Sequence, residues 1–197
     1  MRRRSVGRHL HRAVYAKHLK LASPPNPLYF AGSVAGRRYT PVGGPGGLYL
    51  SFDPATTITE LRLLTFAAGE PVSQRHDPVT VFSANAKVAD LLDLTDDETC
   101  DILGITRQEL DEDWETRQAA YLAGSGPRPF GQLLALAAHA MGSFAGIIYQ
   151  SRRSNFGTNV VFFPDRMYVD EFVEVIDDDV THASRLTGSR ERRAGRL

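Results

Sequence analysis

The residues with the clearest capacity for chemistry lie in one stretch of the first third of the chain. Arg37 and Arg38 precede a glycine-rich loop at 43–47, Tyr49 follows in an apolar segment, and Glu60 lies on the next predicted helix. Arginine pairs with phosphate oxygens bidentately, and glycines let backbone N–H groups approach an anion closely. A carboxylate beside a ribose can stabilise an oxocarbenium-like transition state. This stretch therefore predicts a site for a phosphate-bearing nucleotide.

A second group of candidate residues is the Ser-Arg-Arg-Ser sequence from Ser151 to Ser154, which adds two hydroxyls and two cations in a loop between predicted strands. Loops on a rigid scaffold often carry binding and catalytic groups. Each candidate also has a purely structural explanation. Glu60 suits an exposed helix face, Tyr49 suits a core with its hydroxyl bonded, and Ser151 suits a turn. Composition and spacing leave both explanations open.

Local signals predict the elements that must hold these residues. Asp53 followed by Pro54 is a strong helix start, because aspartate caps the first turn and proline suits the first helical position. Ser83 is predicted to cap a short helix that carries Val88, Leu91 and Leu92. Strands are predicted at 12–16, 48–52, 79–82, 147–149 and 159–163, with an edge strand at 172–176. Further helices are predicted. One ends at Glu70-Pro71, another begins at a capping box Thr106–Glu109 and continues past Trp114 and Tyr121, and another spans 130–141.

The bulk composition predicts a single globular domain. The chain has 197 residues, 42% hydrophobic and 23% charged, with a formal net charge of +0. Acidic residues are absent before Asp53. We predict a basic leader at 1–11, a catalytic domain at 12–176 and a charged flexible tail at 177–197. Basic ends suit a solvated terminus better than a nucleic-acid or membrane contact. The predicted strands and helices do not alternate regularly, which favours the α+β class over a doubly wound parallel sheet.

Several function classes are disfavoured by what the sequence lacks. The single Cys100 excludes an internal disulfide framework and fits a reducing compartment, and its acidic surroundings should raise its pKa and make it a poor nucleophile. The histidines show no metal-ligand spacing. The glycine-rich loop is neither a Walker A motif nor a dinucleotide fingerprint. No apolar run is long enough to span a bilayer, and the Arg-rich start lacks a secretory core. These observations predict a soluble cytoplasmic protein without a metal.

Taken together, several blocks of the sequence resemble the RES domain, which is named for an Arg, a Glu and a Ser and is the toxin half of bacterial RES–Xre toxin–antitoxin pairs. The blocks are Gly36-Arg37-Arg38-Tyr39-Thr40-Pro41, Leu48-Tyr49-Leu50-Ser51 with Asp53-Pro54, Phe130-Gly131-Gln132, Gly146 to Ser151, and Gly157 to Phe163. The resemblance runs from about Arg12 to Ile176, and it rests on the order and spacing of the blocks together.

The resemblance assigns site residues. Arg38, Glu60 and Ser151 match the Arg, Glu and Ser of the family, and Tyr49 matches an aromatic residue of its nucleotide pocket. Tyr39 and Arg37 then become further cofactor-binding candidates beside Arg38. The sequence departs from the family motif where Arg37 replaces a glycine, Tyr39 replaces Trp or Phe, and Thr40 replaces an asparagine. The extra cation suggests altered phosphate binding or a partner contact.

The resemblance also implies a fold and an activity. It implies a mixed or antiparallel β core flanked by helices, similar to ADP-ribosyltransferases. The implied reaction is cleavage of the nicotinamide–ribose bond of NAD+, by hydrolysis or with inorganic phosphate as co-substrate, and without a metal. The implied partner is a helix-turn-helix (Xre) antitoxin that blocks the nucleotide cleft, and a homodimer is left open. One alternative is an ADP-ribosyltransferase that modifies a protein. Another is a non-enzymatic module that binds nucleic acid, although direct nucleic-acid binding is not expected.

Overall fold

The computed structural model describes residues 3–19, 26–28, 36–61, 64–67, 70–73, 78–154, 157–176 and 184–192. The strands in these ranges are β1 Arg3–Tyr15, β2 Leu48–Ser51, β3 Leu64–Ala67, β4 Glu70–Ser73, β5 Val79–Asp93, β6 Gly146–Gln150, β7 Thr158–Phe162, β8 Phe172–Ile176 and β9 Arg185–Thr187. The helices are α1 Ala16–Leu19, α2 Pro54–Glu60, α3 Asp97–Leu103, α4 Arg107–Leu110, α5 Trp114–Leu122 and α6 Phe130–Met141.

Seven of the described strands form one sheet in the order β1-β2-β7-β6-β5-β8-β9, and β3 and β4 form a separate hairpin. Strand β1 pairs with β5 as well as with β2, so five of the strands close into a ring. The β5–β6 pair is parallel, whereas the other pairs in the sheet are antiparallel. The mixed sheet with its helices confirms the predicted α+β single domain. The likeness to ADP-ribosyltransferases stays a prediction.

The first strand is longer than predicted. It begins at Arg3 rather than Arg12, and it pairs with β5 along most of its length. Val6, Leu10 and Val14 are buried on one face, and the arginines between them hide this pattern in the sequence. Residues on both sides of the predicted boundary at 11 and 12 therefore belong to one strand.

The helix predicted after Ser83 is wrong, because these residues continue strand β5. Phe82, Ala84, Ala86 and Val88 are buried in alternation, which is the period of a strand. The alternation breaks at Asp90, which has a φ of +55°. Beyond this irregularity Leu91 and Leu92 are both buried, so Val88, Leu91 and Leu92 show the three- and four-residue spacing of a helix face in the sequence. Pairing with β1 on one side and β8 on the other overrides the helix propensity of the alanines and leucines.

Other local predictions have mixed outcomes. Helix α6 has the predicted bounds, and the capping box between Thr106 and Glu109 is present, with both reciprocal hydrogen bonds. The helix that begins there stops at Leu110, and α5 is a separate helix. No helix ends at Glu70-Pro71, since α2 ends at Glu60 and the β3–β4 hairpin follows. Strand β8 is not an edge, because β9 pairs with it inside the predicted tail. Residues 177–183 and 193–197 of that tail lie outside the described residues.

The sheet separates two apolar clusters. One face, with Leu10, Leu48, Val160 and Phe162 at its centre, packs within the ring of strands and against β8. The opposite face packs under the helices, and the buried residues there include Tyr39, Ile147, Val161, Phe163 and Ala135 of α6. Within the described ranges, none of the helices is long and apolar enough to cross a membrane.

Candidate active site

Glu60 is delivered to the site by helix α2, whose last residue it is. The Asp53 carboxylate caps this helix by accepting from the Thr56 backbone N–H at 2.7 Å, and Pro54 occupies the first turn as the sequence predicts. Gly157 lies against the helix, and a Cβ added there would stand 2.1 Å from Thr56 Oγ1. This close approach requires glycine and brings the loop after β6 beside the first turn of α2.

The Glu60 carboxylate is held by two neutral side chains. Its Oε1 accepts from Ser151 Oγ and from Asn159 Nδ2, both at 2.7 Å. The Asn159 Oδ1 in turn accepts from the Ser51 hydroxyl at 2.7 Å, and both of these residues are buried. No residue in the described part of the chain hydrogen-bonds Glu60 Oε2. The carboxylate is thus fixed in one orientation with its second oxygen open.

The Ser151 hydroxyl is oriented by its own loop. Ser151 Oγ accepts from the backbone N–H of Arg153 at 3.1 Å and of Ser154 at 3.0 Å. These two donors leave the hydroxyl proton for Glu60, so the direction of the Ser151–Glu60 hydrogen bond is set by the loop. Arg153 Nη1 also donates to the backbone oxygen of Glu60 at 2.7 Å, which joins the loop to the end of α2.

Arg38 enters the same region from the loop before β2. Its guanidinium donates to the backbone oxygen of Gln150 at 3.1 Å and to that of Leu110. The guanidinium carbon stands over the rings of Tyr39 and Tyr149, 5.4 and 5.2 Å from their centroids. Gly131 of α6 allows this approach, since an added Cβ would lie 2.7 Å from the Arg38 backbone oxygen.

A cavity of about 300 Å³ lies beside these groups. Its lining includes Arg38, Arg152, Tyr149 and Ser151. Glu60 is not part of the lining, but it is hydrogen-bonded to Ser151, which is. Neither Arg38 nor Arg152 forms an ion pair with a carboxylate of the described residues, and Arg152 donates to the backbone oxygen of Glu112 instead. Two guanidinium groups bound only to carbonyl oxygens leave positive charge for an anionic ligand. The cavity therefore suits a phosphate-bearing molecule.

Three buried tyrosines of this region, Tyr39, Tyr49 and Tyr149, have raised pKa values. Burial raises the pKa of the Tyr39 phenol to about 12, and it raises that of Tyr49 as well. Burial also raises the pKa of Tyr149 well above its usual value, with the charge of Glu60 among the smaller causes. All three are therefore neutral hydrogen-bond donors near pH 7.

Not every residue predicted for the site reaches the cavity. The Tyr49 hydroxyl accepts from the Tyr39 backbone N–H and bonds the Thr40 hydroxyl, each at 3.1 Å, so it braces the loop that carries Arg38. Arg37 is exposed. The pKa of Arg12 is lowered to about 10, first by the burial of Arg12 and then by the charge of Arg37, so Arg37 lies near β1. The glycine-rich loop makes a turn, with Gly44 N–H donating to Pro41, and is absent from the cavity lining among the described residues.

The structure adds Asn159 and Tyr149, which the sequence did not single out, and it selects Arg152 from the candidate loop. Asn159 is a polar residue at the start of a nearly continuous apolar strand, and that exception was the available signal. Tyr149 occupies a strand whose other central residues are core, so nothing in its spacing distinguishes it. Arg152 belongs to the Ser-Arg-Arg-Ser loop, where the sequence does not show which arginine faces the cavity.

The structure also bears on the thiol and the metal site that the sequence disfavours. Cys100 is buried and free, and burial raises its pKa more than its acidic neighbours do. Within the part of the chain that the structure describes, no cluster of three or more His, Cys, Asp or Glu residues could hold a metal ion.

The fold and the site together define an α+β domain in which a hydroxyl and a guanidinium line one cavity and a carboxylate is hydrogen-bonded to that hydroxyl. Comparison with protein families gives a match to the RES domain over residues 9–183, and the chain therefore belongs to this family, which is generally linked to toxin–antitoxin systems. A search of curated proteins gave no match. Arg38, Glu60 and Ser151, which the sequence resemblance assigns to the three name-giving residues, meet at this site.

Proposed function

We propose that the protein is an enzyme that cleaves the nicotinamide–ribose bond of NAD+. The observation that carries the proposal is the Glu60 carboxylate, which Ser151 and Asn159 fix by Oε1 while no described residue bonds Oε2. Ser151, which bonds this carboxylate, lines a cavity in which Arg38 and Arg152 have no carboxylate partner among the described residues. A dinucleotide with a pyrophosphate and a cationic leaving group matches both features.

The proposed roles follow from the charges. Arg38, with Arg152 beside it, binds the pyrophosphate, since guanidinium and phosphate form strong charge-assisted hydrogen bonds. Glu60 faces the nicotinamide ribose, where its open oxygen accepts from a ribose hydroxyl and stabilises positive charge that develops at C1′. Ser151 and Asn159 position this carboxylate. Tyr49 acts through the loop that it braces and does not touch the ligand.

The reaction balances without a further cofactor. The bond between C1′ and the nicotinamide nitrogen breaks, and its electron pair leaves with neutral nicotinamide. In hydrolysis, a water oxygen bonds to C1′, which gives ADP-ribose and releases one proton. In phosphorolysis, an oxygen of inorganic phosphate bonds to C1′ and gives ADP-ribose phosphorylated at that carbon. The site geometry supports the cleavage step common to both reactions.

Family membership extends the proposal to a biological role. We propose that NAD+ depletion makes the protein toxic to its own cell and that a helix-turn-helix antitoxin neutralises it by covering the nucleotide cavity. Growth arrest on expression, with a fall in cellular NAD+ and rescue by a co-expressed antitoxin, is the expected behaviour. Arrest without a fall in NAD+ would contradict it.

The proposed activity is tested by incubating the purified protein with NAD+ and separating the products by chromatography, with and without phosphate. We expect nicotinamide release, with ADP-ribose or its phosphorylated form as the second product. A parallel incubation with labelled NAD+ in a cell lysate tests the alternative, ADP-ribosyl transfer. Label on protein without free ADP-ribose would favour the transferase, and intact NAD+ in both incubations would contradict the proposal.

A further inference from the structure

Two neighbouring tyrosines of the site, Tyr39 and Tyr149, differ in the environment of their hydroxyl groups. Their rings pack on each other with centroids 4.5 Å apart. No described residue hydrogen-bonds either hydroxyl. The Tyr39 hydroxyl is sealed from solvent in the apolar cluster under the helices. Packing in this cluster and against Tyr149 accounts for the ring without a role for its oxygen.

The Tyr149 hydroxyl, in contrast, is not sealed from solvent, although the residue as a whole is only 7% exposed. Both tyrosines line the cavity, but the Tyr149 hydroxyl, unlike that of Tyr39, is not sealed from solvent. A buried phenol usually finds a hydrogen-bond partner within the protein, because an unmet donor in a fold is costly. An open donor on an otherwise enclosed side chain indicates a position that a ligand oxygen completes.

The neighbours of Tyr149 indicate which part of a ligand it meets. Arg38 stands over its ring at 5.2 Å, and Glu60 is close enough for its charge to act on the phenol. A side chain that contacts the phosphate-binding guanidinium and adjoins the ribose-binding carboxylate lies beside the atoms that join ribose to phosphate. The Tyr149 phenol, like any tyrosine, is protonated at neutral pH and can donate, and burial raises its pKa further.

We propose that Tyr149 is a substrate-contacting residue whose hydroxyl donates a hydrogen bond to an oxygen of the ribose 5′-phosphate unit next to the scissile bond. This inference rests on the proposed function. It assigns to Tyr149 a role in holding the nicotinamide half of NAD+ between Arg38 and Glu60, and it predicts a loss of both ligand affinity and turnover when the hydroxyl is removed.

The test is Tyr149→Phe, which keeps the ring, its packing on Tyr39 and the Arg38 contact. Calorimetric titration with ADP-ribose should show a Kd about tenfold higher than that of the wild type, as expected for one hydrogen bond. The matched control is Tyr168→Phe. Tyr168 also has guanidinium groups over its ring, those of Arg190 and Arg192 at 5.0 and 4.1 Å, and it is absent from the cavity lining.

The outcomes separate this inference from the proposed function. A wild-type Kd for Tyr149→Phe, or an equal rise in the Tyr168→Phe control, would overturn the role of the hydroxyl. If Tyr149→Phe retains wild-type affinity and turnover while Glu60→Gln abolishes NAD+ cleavage, only the Tyr149 inference fails. If the wild-type protein neither binds ADP-ribose nor consumes NAD+, both fail. Thermal unfolding of each variant verifies that the fold is intact.

Discussion

Two groups of arginines in this protein differ in whether their guanidinium groups have carboxylate partners. Arg3 and Arg4 on β1 donate to the carboxylates of Asp90 and Asp93, at 3.3 and 3.1 Å. Arg38, in contrast, meets only carbonyl oxygens and aromatic rings among the described residues. A guanidinium with a carboxylate partner is largely neutralised within the fold, whereas one held by neutral groups keeps its charge for a ligand. The number of basic residues in a segment therefore does not predict where an anion binds.

Two of the three described arginines near the other basic end are also paired with carboxylates, whereas Arg190 donates to a backbone oxygen and stands over a ring. Arg185 pairs with Glu174 at 3.4 Å, and Arg192 pairs with Asp170 at 3.2 Å. Binding to a nucleic-acid backbone needs arginines that are free to replace counterions. The pairing of these arginines with carboxylates favours the enzyme hypothesis over a module that binds nucleic acid through its basic ends.

The largest effect on ligand binding is expected from Arg38→Gln, which removes the unneutralised charge. Hydrogen bonds to charged groups contribute about 1.5–3 kcal/mol, so the Kd for ADP-ribose should rise by about 10- to 100-fold. Calorimetric titration measures it. Arg185→Gln is the matched control, since that guanidinium also covers a ring, Phe172, at 4.2 Å. Equal affinities in the two variants would contradict the distinction between the two groups of arginines.

Asp93→Ala should instead reduce stability. The Asp93 side chain is 2% exposed and accepts from Arg4 at 3.1 Å and from the Thr95 hydroxyl at 2.6 Å. Its loss leaves a partly buried guanidinium without its carboxylate, and we expect the free energy of unfolding to fall by about 2–4 kcal/mol. Urea denaturation measures this change. A variant that unfolds like the wild type but loses ADP-ribose affinity as Arg38→Gln does would contradict the structural role.

The smallest effect is expected from Arg3→Gln. The Arg3 side chain is 54% exposed and its partner Asp90 is 25% exposed, so water screens this ion pair. Exposed pairs contribute about 0–1 kcal/mol, and the unfolding free energy should change by no more than that. The same urea experiment detects it. If the unfolding free energy fell as much as in Asp93→Ala, the exposure of an ion pair would not predict its contribution to stability.

The sequence predicted the parts of this structure that depend on local signals. The Asp53-Pro54 start, the Thr106–Glu109 box and the bounds of α6 depend on residues close in sequence, and all three are confirmed. Strands β1 and β5 were misjudged because they stabilise each other from distant parts of the chain. The arginines of β1 hide its strand pattern, and the spacing of the apolar residues in β5 resembles that of a helix. Pairing between the two strands outweighs both local signals.

The site shows the same limit. The resemblance named Ser151 and Glu60, and the structure joins them by a hydrogen bond. It did not show that Asn159 holds the same carboxylate oxygen, because that contact depends on how β7 lies beside α2. Nor could it show that the Tyr49 hydroxyl is occupied by the loop before β2. Contacts between distant segments decide which of the candidate side chains remain open to a ligand.

The central claim is that the Glu60 carboxylate drives cleavage of NAD+, and its most direct test is the initial rate of nicotinamide release by Glu60→Gln. Glutamine retains the size of the side chain and loses its charge, so we expect the rate to fall by about 10²-fold or more while the fold persists. Glu174→Gln, which neutralises a carboxylate paired with Arg185, should keep the wild-type rate. A Glu60→Gln variant with the wild-type rate would contradict the assignment of this site.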